Sequence, residues 1–250
     1  MQGWQGGDSW YGPSGEEIVE EAAQGIIAEG EKLDCIAEAR WLAEKLRSVK
    51  SQSKPEIQKM SLKLYTFESF LYKRLNTALR NKEKTAIATL GPFCYLIWST
   101  LLPFGFEEKN FSGVVYRGMT LDQSQIQSYM NVAGNNQWYS WLCFSSTSKN
   151  RLKAEQFGNT LFIIDNETAR EGVDISSISA FPDEEEVLLQ ASTTFQVVKV
   201  TYSDVKKKYE VHLKIRRRRN ACENKCGWAC ECDLLGRYRA IGSKLPDYGF

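Results

Sequence analysis

Three short stretches carry side chains that together could hold and polarise a charged, oxygen-rich ligand. VVYRGM (Val114 to Met119) reads as a strand ending in an arginine and a glycine, and FSSTS (Phe144 to Ser148) as a strand ending in hydroxyls. FPDEEEVLL (Phe181 to Leu189) sets four carboxylates against an apolar run. The guanidinium of Arg117 is a planar fork for anionic or hydroxyl oxygens and does not deprotonate. Hydroxyl clusters donate and accept, although in most chains they serve turns and caps. The acidic run is the most informative, because Val187, Leu188 and Leu189 read as the start of a short buried strand that would aim the acids before it. In extended chain, residues two apart share a face. Glu184 and Glu186 are therefore expected to project together, about 6–7 Å apart, with Asp183 and Glu185 on the opposite side. Two carboxylates so arranged suit the gripping of one substrate; a solvated surface run is the alternative.

These stretches need elements around them to hold them in place. The first third reads as helical: Ile36, Ala39, Leu42, Leu46 and Val49 form one stripe, and Ile57, Met60, Leu64, Phe67, Leu71, Leu75 and Ala78 recur by threes and fours. Lys50 to Pro55 breaks the two apart. From Gly113 the period shortens. VVYR, WLCFSS, TLFIID, EVLL, TFQVVKV and YEVHLKI are β-branched or aromatic runs separated by Asn, Gly, Ser and Asp. Helices first and strands afterwards predict an α+β architecture. The uncharged segment from Ala86 to Phe106 is 21 residues long, enough for a membrane span. Gly91-Pro92 interrupts it and Pro103 ends it, which leaves about ten residues of good helix and predicts a buried core helix.

With 250 residues, 42% hydrophobic and 25% charged, the composition is that of an ordinary globular protein. The net charge of +1 hides an asymmetry: residues 1–204 carry 20 Lys and Arg against 26 Asp and Glu, and residues 205–250 carry 12 against 5. The opening MQGWQGGDSWYGPSG has five glycines and no apolar core, so residues 1–15 are expected to form a flexible tail and not a secretion signal. Seven cysteines, an odd count, favour reduced thiols and a cytoplasmic location, with secretion as the alternative. Cys222, Cys226, Cys230 and Cys232 are spaced unlike any common zinc finger, so unligated thiols are expected over a zinc site. The block Arg216 to Arg219 lacks interleaved aromatics and is expected to be a solvated strand end, not a nucleic-acid patch. His212, the single histidine, lies in the strand-like YEVHLKI and reads as structural. No Gly-rich phosphate loop of the Rossmann or Walker kind is present.

Taken together, Arg117, Ser146-Thr147-Ser148 and Glu184-x-Glu186 resemble in order and chemistry the R-S-E signature of the arginine-specific mono-ADP-ribosyltransferases, in their animal NAD:arginine branch. LYTFESFLYKRLNTALR (Leu64 to Arg80) leading through an apolar helix to VVYRG is similar to the same branch, as is the passage from FPDEEEVLL into TTFQVVKV. The similarity spans about residues 56–204. It implies an ADP-ribosyltransferase domain over residues 16–204, with a helical N-terminal part and a β-rich core around an NAD cleft, followed by a basic, Cys-containing extension over 205–250. It also implies NAD as a consumed substrate, no metal, and transfer of ADP-ribose to an exposed arginine of a protein with release of nicotinamide. An NAD glycohydrolase and a non-catalytic interaction module are the alternatives.

Breaking the bond between nicotinamide and ribose leaves positive charge on the sugar, as in glycoside hydrolysis, and a preorganised carboxylate nearby lowers that barrier. On the family's pattern Glu186 takes this role and binds a ribose hydroxyl. Arg117 would hold phosphate or ribose oxygens, Gly118 would let backbone approach the nicotinamide amide, and Ser146 would hold the ribose and position Glu186. Thr147 and Ser148 would shape the strand end and line the NAD site with it. Phe157, in AEQFGNT, is expected to stack on the cationic ring, with a place in the core as its alternative, whereas Phe162 is expected to be core. Glu184 would orient the acceptor guanidinium and help remove its proton, while Glu185 is expected to face away and contribute little. All these residues precede residue 205, so truncation after Asp204 is expected to leave NAD cleavage possible.

Overall fold

The helical period of the early chain becomes five α-helices, and the two-residue period after it becomes a sheet. The computed structural model describes residues 15–101, 110–169 and 171–216. They divide into a helical unit, residues 15–78 and 82–101, and a sheet unit, residues 79–81 and 110–216.

The helices are α1 (Gly15–Lys32), α2 (Ile36–Arg47), α3 (Lys54–Thr66), α4 (Phe70–Asn81) and α5 (Ile87–Thr100). The expected stripes supply the core: Ala39, Leu42, Leu46, Ile57, Leu64, Leu71 and Leu75 are all buried. The stripe from Ile57 to Ala78 belongs to two helices and not one. Phe67 turns extended, with ψ at 141°, and Ser69 Oγ accepts from the Leu71 N–H, so a hydroxyl starts a new helix where the apolar spacing alone would run on. The reverse happens at Pro92, where the expected interruption does not occur. The proline removes one bond near the start of α5, while Leu90, Phe93, Leu96 and Ile97 pack in the core on both sides of it and keep the helix continuous. Among the described residues no helix is long and apolar enough to cross a membrane.

One acid holds this unit together from within. Glu29 on α1 is fully buried, and its carboxylate accepts from Arg74 Nε at 2.7 Å, Lys32 Nζ at 2.6 Å and Thr89 Oγ1 at 2.6 Å. Arg74 is held a second time by Glu83 at 2.8 Å. Burial pushes the Glu29 carboxyl up, but its three donors outweigh burial and hold it below the ordinary value.

The sheet unit contains β1 (Val114–Met119), β2 (Tyr139–Trp141), β3 (Ser145–Ser148), β4 (Thr160–Asp165), β5 (Val173–Asp174), β6 (Glu186–Leu189), β7 (Thr193–Ser203) and β8 (Lys208–Ile215). Their order is β2-β7-β8-β4-β1-β3-β6-β5, with β4 and β8 parallel and the other neighbours antiparallel. The run WLCFSS is therefore not one strand: its first part pairs with β7 at one edge and its last with β6 near the other. Helix α6 (Gln123–Val132), opened by a capping box between Asp122 and Gln125, lays Ile126 and Tyr129 into the core, where Tyr129 meets Phe162 edge-on at 5.3 Å. A four-residue helix, α7 (Arg151–Ala154), follows β3.

The sheet is least tightly laddered at the seam between β1 and β3. These strands share a single registered pair, Tyr116 opposite Ser148, whereas β1 is laddered to β4 along its whole length. The boundary expected at residue 204 falls inside the β7–β8 hairpin, where Ser203 pairs with Lys208. β8 is an inner strand that buries Val211, Leu213 and Ile215, so the sheet extends to residue 215.

Truncation after Asp204 should abolish the cooperative urea transition of the sheet unit, because it removes an inner strand and bares the edges of β4 and β7. Glu29→Gln should destabilise the helical unit by about 1–3 kcal/mol at pH 7, since it takes the buried charge away from three converging donors, while half-buried Arg74 keeps Glu83 and exposed Lys32 keeps water. Because the folded pKa is lowered, this loss should shrink as pH falls from about 4.3 through the lower folded value, as urea melts at pH 7 and pH 3 would register.

Candidate active site

Arg117, Ser146 and Glu186 come from three strands and meet at the seam. Arg117 Nη1 donates to the Ser146 carbonyl at 3.1 Å, which satisfies on β3 an acceptor that the ladder to β1 does not reach. Ser148 lies opposite Glu186, and Ser146 opposite Leu188, so Ser146, Ser148 and Glu186 share one face. Glu186 is only 5% exposed. Its carboxylate accepts from Ser179 Oγ at 3.0 Å and from the Ser146 hydroxyl. Burial drives its pKa up, the two hydroxyls oppose that, the neighbouring Glu184 adds to it, and the Arg117 cation pulls down; the net direction is upward. Thr147 points to the other face, where its hydroxyl donates to the Val187 carbonyl at 2.6 Å and ties β3 to β6. It is not brought to the group formed by the other three.

The acidic run is not extended before Glu186. Pro182 to Glu184 form a 3-10 turn, Glu185 takes left-handed backbone with φ 49° and ψ 51°, and the strand begins only at Glu186. The expected strand alternation of the four acids is therefore wrong. Pro182 supplies the first φ of the turn, and Ser148 Oγ donates to the Glu184 carbonyl at 2.6 Å. Glu184 and Glu186 are neighbours all the same, by the fold of the turn, and Glu186 feels the charge of Glu184. Glu184 is half-buried, with its pKa raised by burial and lowered in part by Lys153. Glu185 does not face away unattached: Asn150 Nδ2 donates to its Oε1 at 3.0 Å, and its carbonyl accepts from the Lys149 N–H at 3.0 Å.

Phe157 is 52% exposed, so the core alternative does not hold for it, whereas Phe162 is buried as expected. The loop that carries Phe157 rests on Gly118, where an added Cβ would lie 1.9 Å from the Ala154 carbonyl oxygen and 2.7 Å from that of Phe157. Gly118 thus admits the protein's own backbone. Lys208 ties the same loop to β8, donating to the carbonyls of Glu155, Phe157 (3.3 Å) and Gly158 (2.6 Å). Arg151 joins Glu155 at 2.7 Å and also meets Glu210, so the charges of β8 hold the loop in place.

His212 is half-buried on β8, its pKa lowered first by burial, and lies 3.9 Å from Glu210, in keeping with a structural place. No group of potential metal ligands occurs among the described residues. The four C-terminal cysteines, Arg217 to Arg219 and the N-terminal tail lie outside the described residues. Cys94 and Cys143 are buried thiols outside any disulfide, and burial pushes the Cys94 thiol up to about 12. Sequence reasoning missed Ser179, Asn150 and Lys208. Only Asn150 carried a local signal, as an Asn directly before a helix.

A family model for NAD:arginine ADP-ribosyltransferases matches residues 32–221. No curated protein matches the sequence. Among solved structures, the ADP-ribosyltransferase HopU1 of Pseudomonas syringae pv. Tomato DC3000 is similar with a TM-score of 0.58 at 17% identity, over 86% of this chain and 100% of that one. The type III effector XopAI from Xanthomonas axonopodis pv. citri gives 0.57 at 19%, over 81% and 88%. The eukaryotic mono-ADP-ribosyltransferase ART2.2 gives 0.56 at 23%, over 84% and 91%. At such identities these likenesses speak for the fold, and the family match speaks for descent. The chain belongs to the NAD:arginine ADP-ribosyltransferase family.

Proposed function

We propose that this chain breaks the nicotinamide–ribose bond of NAD and transfers ADP-ribose to an arginine side chain of a protein. The observation that carries the reading is Glu186, a buried carboxylate held by Ser146 and Ser179 within the field of Arg117. A negative charge kept out of water and unable to reorganise is the group best suited to oppose a cation that develops on ribose. Members of the family use NAD, a mutant of ART2.2 has been crystallised with NADH, and exoenzyme S from Pseudomonas aeruginosa with carba-NAD.

In the proposed step the C–N bond to nicotinamide breaks and its electron pair leaves with the ring. Glu186 steadies the sugar cation, Arg117 and Ser146 hold phosphate or ribose oxygens, and exposed Phe157 offers its ring to nicotinamide. A guanidinium nitrogen then attacks the sugar carbon and its proton passes to Glu184, the half-buried acid beside Glu186. A guanidinium has no free nucleophilic pair until a base relieves it, whereas water needs less help. Arginine as acceptor is favoured over a glycohydrolase reading by the acid at Glu184 and by the family match.

The test tracks nicotinamide release and modification of the arginine analogue agmatine in the same reactions. Glu186→Gln should lower release by about 10²–10³-fold with NAD still bound; near-normal turnover would remove Glu186 from this role. Glu184→Gln should keep release with water as acceptor and lose transfer, and a proportional loss of both would refute the division of labour. Arg117→Lys should weaken NAD binding, because a point charge replaces a fork. Glu186→Gln should also be more stable than wild type at neutral pH. A raised folded pKa is a contribution present below about 4.3 and lost as pH rises through the folded value, so the difference in Tm should vanish in acid.

A further inference from the structure

Asn150 touches both loops of the candidate site with one side chain. Its Oδ1 accepts from the N–H groups of Leu152 at 3.0 Å and Lys153 at 3.3 Å, capping α7, which leads to Phe157. Its Nδ2 donates to Glu185 Oε1 at 3.0 Å, in the turn that carries Glu184. The network allows only one orientation of the amide, since a flipped Asn150 would set its NH₂ against two N–H donors and its oxygen against a carboxylate.

We propose that Asn150 and Glu185 form a clamp that positions Glu184, and thereby favours arginine over water as the acceptor of ADP-ribose; this rests on the function proposed above. Glu185 holds left-handed backbone despite its Cβ, and such a residue persists where its surroundings over-determine it. Here its carboxylate is held by Asn150 and its carbonyl by the Lys149 N–H, while the preceding carbonyl, that of Glu184, is held by Ser148 Oγ. Glu184 is thus anchored through its backbone on both sides, and none of these bonds uses its carboxylate. Glu186 makes no hydrogen bond to Asn150 or Glu185. It lies in β6 and is held by Ser146 and Ser179. Loosening the clamp should therefore disturb proton removal from the acceptor far more than cleavage of NAD. Asn150 and Glu185 are positioning residues; neither needs to touch substrate.

Exchange of donor and acceptor makes the clamp testable. Asn150→Asp keeps the oxygen that caps α7 and sets a second carboxylate against Glu185. Glu185→Gln alone keeps an acceptor for Asn150. The double variant restores the bond with its polarity reversed. The expected result for Asn150→Asp is a ratio of agmatine transfer to NAD hydrolysis about tenfold or more below wild type, with nicotinamide release within about twofold. Glu185→Gln should match wild type, and the double variant should recover most of the ratio. Amide hydrogen exchange by NMR gives an arm that needs no turnover. The Glu184 and Glu185 N–H groups, bonded to the carbonyls of Phe181 and Pro182 at 3.1 Å each, should exchange about tenfold faster in Asn150→Asp and recover in the double variant, while Leu152 and Lys153 stay protected. Unchanged exchange in Asn150→Asp, or no recovery in the double variant, overturns the clamp. Wild-type protein that cleaves NAD but never modifies agmatine overturns the arginine reading and the acceptor role of the clamp, while the exchange measurements still decide whether the clamp exists.

Discussion

A carboxylate that must stay charged in the interior needs hydroxyl donors, a nearby cation and backbone that cannot drift, and Glu186 has all three. Its own strand anchors it at the first residue of β6, Ser179 and Ser146 donate to it, and Arg117 reaches across from β1. Burial raises its pKa and the donors oppose the rise, with the net direction upward. The geometry of the sheet can be understood as the means of keeping that balance.

The parting of β1 from β3 is the main device. A sheet laddered throughout would use the Ser146 carbonyl in a strand bond and leave no opening at this place. With a single registered pair at Tyr116 and Ser148, the carbonyl is free to be met by a guanidinium, and the arginine is held in place by the same bond. Gly118 is part of the arrangement, because a side chain there would collide with the backbone of the loop that carries Phe157. On the other side of that loop Lys208 gathers three carbonyls, and it stands on an inner strand. Lys208, which opens β8, thus holds the loop of the candidate site, and the sheet runs on through it to residue 215.

Polar residues with no chemistry of their own set the acidic turn. Ser148, Lys149 and Asn150 come one after another at the end of β3, and each bonds to the backbone or side chain of Glu184 or Glu185. The consequence is a turn in which adjacent acids differ in duty: Asp183 is exposed, Glu184 is half-buried with a raised pKa, Glu185 is spent on a structural bond and Glu186 is interior. Side chains this close in sequence can diverge so far because the chain changes from 3-10 to left-handed to extended within three residues.

What the sequence by itself determined was the part governed by local periodicity and by residue chemistry. The helical stripes of α2 to α4, the strands of TLFIID and EVLL and the helices-then-strands order were legible because apolar period and side-chain type are local properties, and Arg117, Ser146 and Glu186 could be grouped because their order resembles the R-S-E signature. One feature was local but hidden by the apolar spacing: the hydroxyl at Ser69 that splits one stripe into two helices. Three others were decided only by tertiary structure. Core packing carried α5 through Pro92. Long-range pairing placed YEVHLKI inside the sheet and not in a tail. Bonds from a distant strand end bent the acidic run into a turn, and they brought Glu184 beside Glu186 by a route that strand alternation could not supply. Ser179 and Lys208 carry no mark in their own neighbourhoods, because what they bind lies elsewhere along the chain, and only the folded sheet brings donor and acceptor together.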